Sequence, residues 1–412
     1  MEFGRWREND EYNLLWPDDE LDFWKLLPNG QVHTHNWSGI HWKDYLEAAD
    51  EYYDAGVRIA NEIILSGHDN RKTDCWFLAD TFMFRHAIEL LLKAKMYSSN
   101  ANKPNIQQIF KTTQHNVEAL FAEVEAAYEY DHSITETDWI RNYLRELETI
   151  DSNSTFFRYP LTKEFFLNDP PEYVDIQSTT EKMKIAYCLL RRGYDDDERF
   201  NSHFPEAPPS TEFFSQANDG IGNCFFDPKD QSEGDDQGRP KSYYIIIKGY
   251  SCVSEFLFST KSVTSQKSDA LPRYRYLPEL FSLRHLLELE LKNLANSRYS
   301  KIQQLNIRSD SHEVFSKLWR NLLPILKGPK NSVTDNIDPF IDQIQQIDRN
   351  EEFFRYPAGY NHQYNSLNCQ IDLVNVFYCI KKIANFLESC DSMFEYWTEV
   401  ESENEFNSDL YI

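Results

Sequence analysis

Basic residues, paired cysteines and long apolar runs are all scarce in this 412-residue chain. Lys and Arg number 42 against 67 Asp and Glu, a net charge of −25. That imbalance excludes broad, sequence-blind binding to nucleic acid or to an anionic membrane, both of which need basic surface. No stretch of ~18 apolar residues occurs, so no membrane-spanning helix is expected. Met1–Trp16 carries acids and lacks the apolar centre of a secretory signal, so the expected location is cytoplasmic. The seven cysteines (Cys75, Cys188, Cys224, Cys252, Cys369, Cys379, Cys390) include no Cys-x-x-Cys, which removes the common zinc and thiol-redox spacings. They read as reduced, buried thiols. P-loop, Gly-x-Gly-x-x-Gly, His-Glu-x-x-His and Gly-x-Ser-x-Gly are all missing, and no cofactor is expected. His33-x-His35 with His41, and Asp18, Asp19 or Asp22 as carboxylates, could bind a metal, but nothing fixes their geometry, and no metal is assigned.

What the chain has in quantity is apolar and aromatic side chain, 41% and 15%, enough to build a substantial core. It also has an internal repeat. Phe84-Arg85-His86-Ala87-Ile88-Glu89-Leu90-Leu91-Leu92-Lys93 returns as Leu283-Arg284-His285-Leu286-Leu287-Glu288-Leu289-Glu290-Leu291-Lys292. Ile106-Gln107-Gln108-Ile109 is answered by Ile302-Gln303-Gln304-Leu305, and His115-Asn116-Val117 by His312-Glu313-Val314. Asp151 with Phe156-Phe157-Arg158-Tyr159-Pro160 is answered by Asp348 with Phe353-Phe354-Arg355-Tyr356-Pro357. Four blocks in the same order and at nearly constant offset define two copies of one unit, residues 44–195 and 242–390.

Each copy reads as helical. In the first, the pattern predicts helices over 44–64, 76–96, 115–128, 134–150 and 181–192, the opening one stopped by Gly67. The counterparts are 243–262, 275–296, 311–326, 336–347 and 370–389, although Tyr243-Tyr244-Ile245-Ile246-Ile247 also fits a strand. Low glycine and the lack of regular strand–turn alternation make the fold class all-α: two repeated helical bundles. Residues 1–43 form an aromatic-rich N-terminal arm, 196–241 an acidic linker, and 391–412 an acidic tail expected to fray. Phe213-Phe214 and Phe225-Phe226 suggest that parts of the linker dock on the repeats. Residues 195–240 hold 12 acids and 3 bases, and 388–412 hold 8 acids and no base. Most of the negative charge therefore lies outside the repeats, and a basic groove between them stays compatible with the composition.

Arg85, Glu89 and Lys93 make one polar stripe on a helix apolar almost all round, and Arg284, Glu288 and Lys292 repeat it. Burial obliges such charges to find partners. Arg158 and Arg355 are candidates to meet Glu89 or Glu288. Two readings of this network stand: a structural one, and one in which it lines a site.

The Arg-His-x-x-Glu-Leu-x-Leu-Lys helix, the following His (His115 or His312) and the Arg-Tyr-Pro string, in order and twice, resemble the HEPN superfamily. These are all-α domains of toxins, antiviral effectors and nucleotidyltransferase partners. The resemblance covers about 300 of the 412 residues. It implies a prokaryotic defence or toxin–antitoxin setting. Catalytic members carry Arg-x(4–6)-His and cleave RNA without metal where two such motifs meet; the His moves protons and the Arg offsets phosphate charge. Arg355 with His362 fits that spacing, whereas no His follows Arg158 at the same interval. His86 and His285 could substitute for it, or serve as hydrogen-bonded core residues.

Two functions follow from the resemblance. One is a catalytically degenerate binding or regulatory module. The other is a metal-independent endoribonuclease working at a groove between the repeats, with Arg355 and Arg158 on the phosphate. The missing His favours the first. RNA or a nucleotide, a protein partner met through the acidic linker or tail, and self-association all remain open.

Overall fold

The structure is a computed structural model. It describes residues 16–19, 21–28, 30–34, 37–67, 69–99, 102–127, 134–160, 170–192, 194, 200, 207–226, 242–264, 276–297, 299–305, 314–327, 332–348, 351–365 and 370–409. The all-α class holds: among the described residues there are 12 helices and only four short strands. The first repeat supplies α1 (His41–Ser66), α2 (Asn70–Ser98), α3 (Lys103–Thr113), α4 (Val117–Ala127), α5 (Ile134–Ile150) and α6 (Ile176–Arg191). The second supplies α7 (Ser242–Thr264), α8 (Leu277–Ala295), α9 (Ser300–Gln303), α10 (Val314–Leu326), α11 (Ser332–Ile347) and α12 (Leu373–Asp409). The two sets correspond one to one.

Local chemistry explains the boundaries. Gly67 ends α1 with φ 67° and returns its N–H to the Ile64 carbonyl. Asp69 and Asn102 accept from backbone N–H groups at the starts of α2 and α3. Pro278 stands in the first turn of α8, where a missing N–H costs nothing. The Leu277 N–H is taken by Glu51 from α1 at 2.7 Å. Tyr243–Ile247 is helix, as in the predicted 243–262, and not the alternative strand. Two expectations change. α3, four residues long in its α9 counterpart, matches no predicted helix. The segment expected to fray instead continues α12 to Asp409, with Trp397 against Tyr299 and Glu401 accepting from Ser300.

α2 and α8 are the central helices; every residue from Cys75 to Ala94 and from Tyr276 to Lys292 is buried. α1 packs on α2, α7 on α8, and α7 also crosses α2. At that crossing a β-carbon on Gly249 would stand 2.1 Å from the Cys75 carbonyl oxygen, so only glycine permits the approach. Phe82 and Phe281 stack at 4.6 Å where the two repeats face each other.

The described residues of the arm and linker dock on the repeats. In the linker, Phe213, Phe214 and Phe226 are buried, and β3 (Cys224–Phe225) pairs antiparallel with β2 (Tyr173–Val174) just before α6. Symmetrically, β1 (Val32–Thr34) of the N-terminal arm pairs antiparallel with β4 (Gln370–Asp372) just before α12. The arm therefore straps the second repeat, although the first follows it directly in sequence. Asp372, fully buried, accepts from Leu27 N at 2.8 Å, Gln31 N at 3.1 Å and Val374 N at 3.0 Å. Asp195–Glu198 and 227–241 of the linker lie outside the described residues, as do Trp6, His35, His312 and Cys369.

Candidate functional site

The repeated stripes come together with the Arg-Tyr-Pro loops in two buried clusters related by pseudo-twofold symmetry. In the first, Glu89 Oε2 takes the Arg85 guanidinium in a short contact, and Oε1 takes Lys93 Nζ at 2.8 Å and His115 Nδ1 at 3.1 Å. Arg85 also reaches Asp151 at 3.1 Å and the His115 carbonyl at 2.5 Å. In the second, Glu288 receives Arg284 at 3.0 Å and Lys292 at 2.8 Å, and Arg284 reaches Asp348 at 3.4 Å. The i, i+4 spacing places Arg, Glu and Lys on one helix face, and burial turns a weak surface pairing into an obligatory one.

The loops cross over. Tyr356 of the second repeat donates its hydroxyl to Glu89 at 2.7 Å, and Tyr159 of the first donates to Glu288 at 2.8 Å. Lys93 and Lys292 lie over these same rings, at 4.2 and 3.9 Å from the centroids. His86 donates Nε2–H to the Arg355 carbonyl at 2.9 Å, and His285 to the Arg158 carbonyl at 2.7 Å. Tyr52 and Tyr250 bond the Phe354 and Phe157 carbonyls at 3.0 and 3.1 Å. Each repeat's cluster is thus completed by the other repeat. Arg158 and Arg355 were candidates to meet the glutamates; the tyrosine beside each arginine does so instead.

The arginines do converge at the centre, but as buried groups, 1% and 4% exposed, and not as the lining of an open groove. Arg158 bonds the Ser154 carbonyl at 2.5 Å and Glu351 at 3.2 Å; Arg355 bonds the Tyr356 hydroxyl at 3.0 Å. Burial, then the neighbouring Arg355 charge, lowers the Arg158 pKa.

Electrostatics separate the histidines from proton transfer. Burial, reinforced by Arg355, drives His86 well below its ordinary value, and burial pushes His285 down to about 3 and His115 to about 4. All three are neutral at pH 7. Burial raises Glu89 and Glu288, but Lys93, His115 and Arg85 outweigh it for Glu89, and Lys292 and Arg284 for Glu288; both stay ionised. His362 lies in a turn with φ 60°. Its Nε2–H donates to the Lys103 carbonyl at 2.9 Å while Nδ1 accepts the Tyr97 hydroxyl at 2.7 Å. Its ring neighbours are Tyr97 and His41, not the two arginines.

The arm histidines also disperse: His33 packs on Tyr276, His41 on Tyr364 and Tyr97, and Asp18 pairs with Lys382. Among the described residues one group has metal-ligand geometry, His285, Glu288 and Glu351. Arg158, Arg284 and Lys292 already stand against those carboxylates, so a further cation would meet repulsion.

A different buried carboxyl sits on α2. Asp80 is fully buried, no ion pair holds it among the described residues, and burial raises its pKa far above 3.8, with Lys184 acting only at a distance. A carboxyl whose folded pKa is raised stabilises the fold below its unfolded pKa and loses that contribution as pH rises. Asp80→Asn is therefore expected to match wild type near pH 4 and to be about 1–3 kcal/mol more stable at pH 8. Urea unfolding at the two pH values checks this; an equal difference at both would refute it.

Comparison with family models, with curated proteins and with solved structures finds no match.

Proposed function

We propose that the chain is a HEPN-like, catalytically degenerate binding or regulatory module of a prokaryotic defence or toxin–antitoxin type system. The supporting observation is the use of the Arg-Tyr-Pro strings. Arg158 and Arg355 are sealed at the junction of the repeats, and the adjoining tyrosines close the glutamate clusters. A phosphate-binding arginine must reach substrate, and a proton-transferring histidine must titrate near neutral pH. Neither requirement suits these residues, and His362 has both ring nitrogens engaged. Binding then falls to surfaces outside the clusters, with the acidic linker and helical tail as the charged candidates for a protein partner.

Purified protein incubated with total RNA in EDTA is expected to leave it intact, and Arg355→Ala to behave identically. Cleavage by wild type that Arg355→Ala abolishes would establish the endoribonuclease reading instead.

A further inference from the structure

The arm and the linker dock as two copies of one strap. At an offset of 190, Asp22-Phe23-Trp24 is answered by Glu212-Phe213-Phe214, and Asn29-Gly30 by Asp219-Gly220. The bundles carry their own offset, the 197 that relates Arg158 to Arg355. The docking agrees at each point. Phe23 lies 6.0 Å from Phe340 of α11, and Phe213 lies 5.6 Å from Tyr143 of α5; Tyr143 and Phe340 are themselves 197 apart. The Asp22 carbonyl faces Cys379 Sγ at 4.0 Å and the Glu212 carbonyl accepts from Lys182, and those two residues are also 197 apart. A β-carbon on Gly30 would stand 1.5 Å from the Asp372 carboxylate of β4, and one on Gly220 2.8 Å from the Tyr173 ring of β2. A short antiparallel strand then follows in each strap: Thr34 pairs with Gln370, and Phe225 with Tyr173.

The order along the chain is strap, bundle, strap, bundle, and neither strap serves the bundle that follows it. A strap kept by its own bundle would put Phe23 on Tyr143 and Phe213 on Phe340. The structure shows the opposite pairing for both. The straps are therefore exchanged in the same sense as the tyrosines of the Arg-Tyr-Pro loops. Reciprocal exchange is the signature of a twofold pair, in which each partner gives the patch that it receives.

We propose that the chain is a strap-exchanged dimer of two strap-and-bundle units joined end to end, and that each bundle's groove is a docking surface for the other unit's strap. The groove runs from α5 to the β2–α6 corner in the first repeat and from α11 to the β4–α12 corner in the second. The partner it fits is an extended segment carrying an acid before an aromatic residue, an Asx-Gly pair and a short strand. Straps and crossed tyrosines, and not the peptide connection between the units, hold the halves together.

A protease recognition sequence placed within residues 201–206 and cut after folding tests this. The cut leaves the arm with the first bundle and the linker strap with the second, so each piece depends on the other's strap. The two pieces are expected to elute together at the mass of the full chain at micromolar concentration and to separate in denaturant. Phe23→Ala and Phe213→Ala in the cut protein are each expected to raise the dissociation constant about 100-fold or more. Separation of the wild-type pieces under native conditions overturns the proposal, and so does a dissociation constant indifferent to both substitutions. Should the alanine variants fail to fold, Phe23→Leu and Phe213→Leu take their place, with an expected rise of about 10-fold, and no change in either overturns the proposal equally.

Discussion

Glu89→Ala is expected to destabilise the protein by about 3–5 kcal/mol, the cost of breaking a buried charge pair from one side. Four groups lose their acceptor together: Arg85, Lys93, His115 and the Tyr356 hydroxyl. None can move to water, because the Arg85 side chain is fully buried and that of Lys93 4% exposed. Asp151 is then the one carboxylate beside Arg85, with the His115 carbonyl its other acceptor, and burial already raises the pKa of that carboxyl. Since Tyr356 belongs to the second repeat, the loss weakens the junction between repeats as well as α2. Urea unfolding monitored by far-ultraviolet circular dichroism reads the change. A difference below about 1 kcal/mol would mean that the cluster is solvated and weakly coupled.

Phe281→Ala is the second large effect, expected at about 3–5 kcal/mol. The ring stacks on Phe82 at 4.6 Å and on His285 at 5.4 Å, and meets Tyr250 and Tyr52 edge-on. Its neighbours are fixed by hydrogen bonds, Tyr52 to Phe354 and Tyr250 to Phe157, so the hole cannot collapse. A poorly relaxing site lies at the high end of the large-to-small range. Phe82→Ala, alone and combined with Phe281→Ala, completes a double-mutant cycle. The expected coupling is about 0.5–1.5 kcal/mol. Additive losses would show that the two rings do not act as a stacked pair.

Much of this was legible in the residues. The repeat, the helical class and the burial of the Arg–Glu–Lys stripes follow from composition and periodicity, and the docking of Phe213-Phe214 from their apolar character. The exchange between repeats was not legible. Both copies carry the same Arg-Tyr-Pro string, so Tyr356 satisfies the pattern equally well beside Glu288 or beside Glu89. Only the third dimension distinguishes them. The strap was hidden for a related reason: Val32-His33-Thr34 is too short to signal a strand, and its partner lies hundreds of residues away. The open groove was expected because arginines at a repeat junction can equally face solvent or each other. Burial in three dimensions decided between them.

The exchanged loops also bear on how the chain is made. Tyr356 closes on Glu89 across 267 residues, and Asp372 grips Leu27 across 345. At a synthesis rate of 5–20 residues per second, roughly 13–53 s separate the emergence of Glu89 from that of its tyrosine. During that interval Glu89 has Arg85, Lys93 and His115 from its own repeat and lacks only the tyrosine. A chain arranged this way ties the last closing contact of its N-terminal cluster to the completion of its C-terminal half.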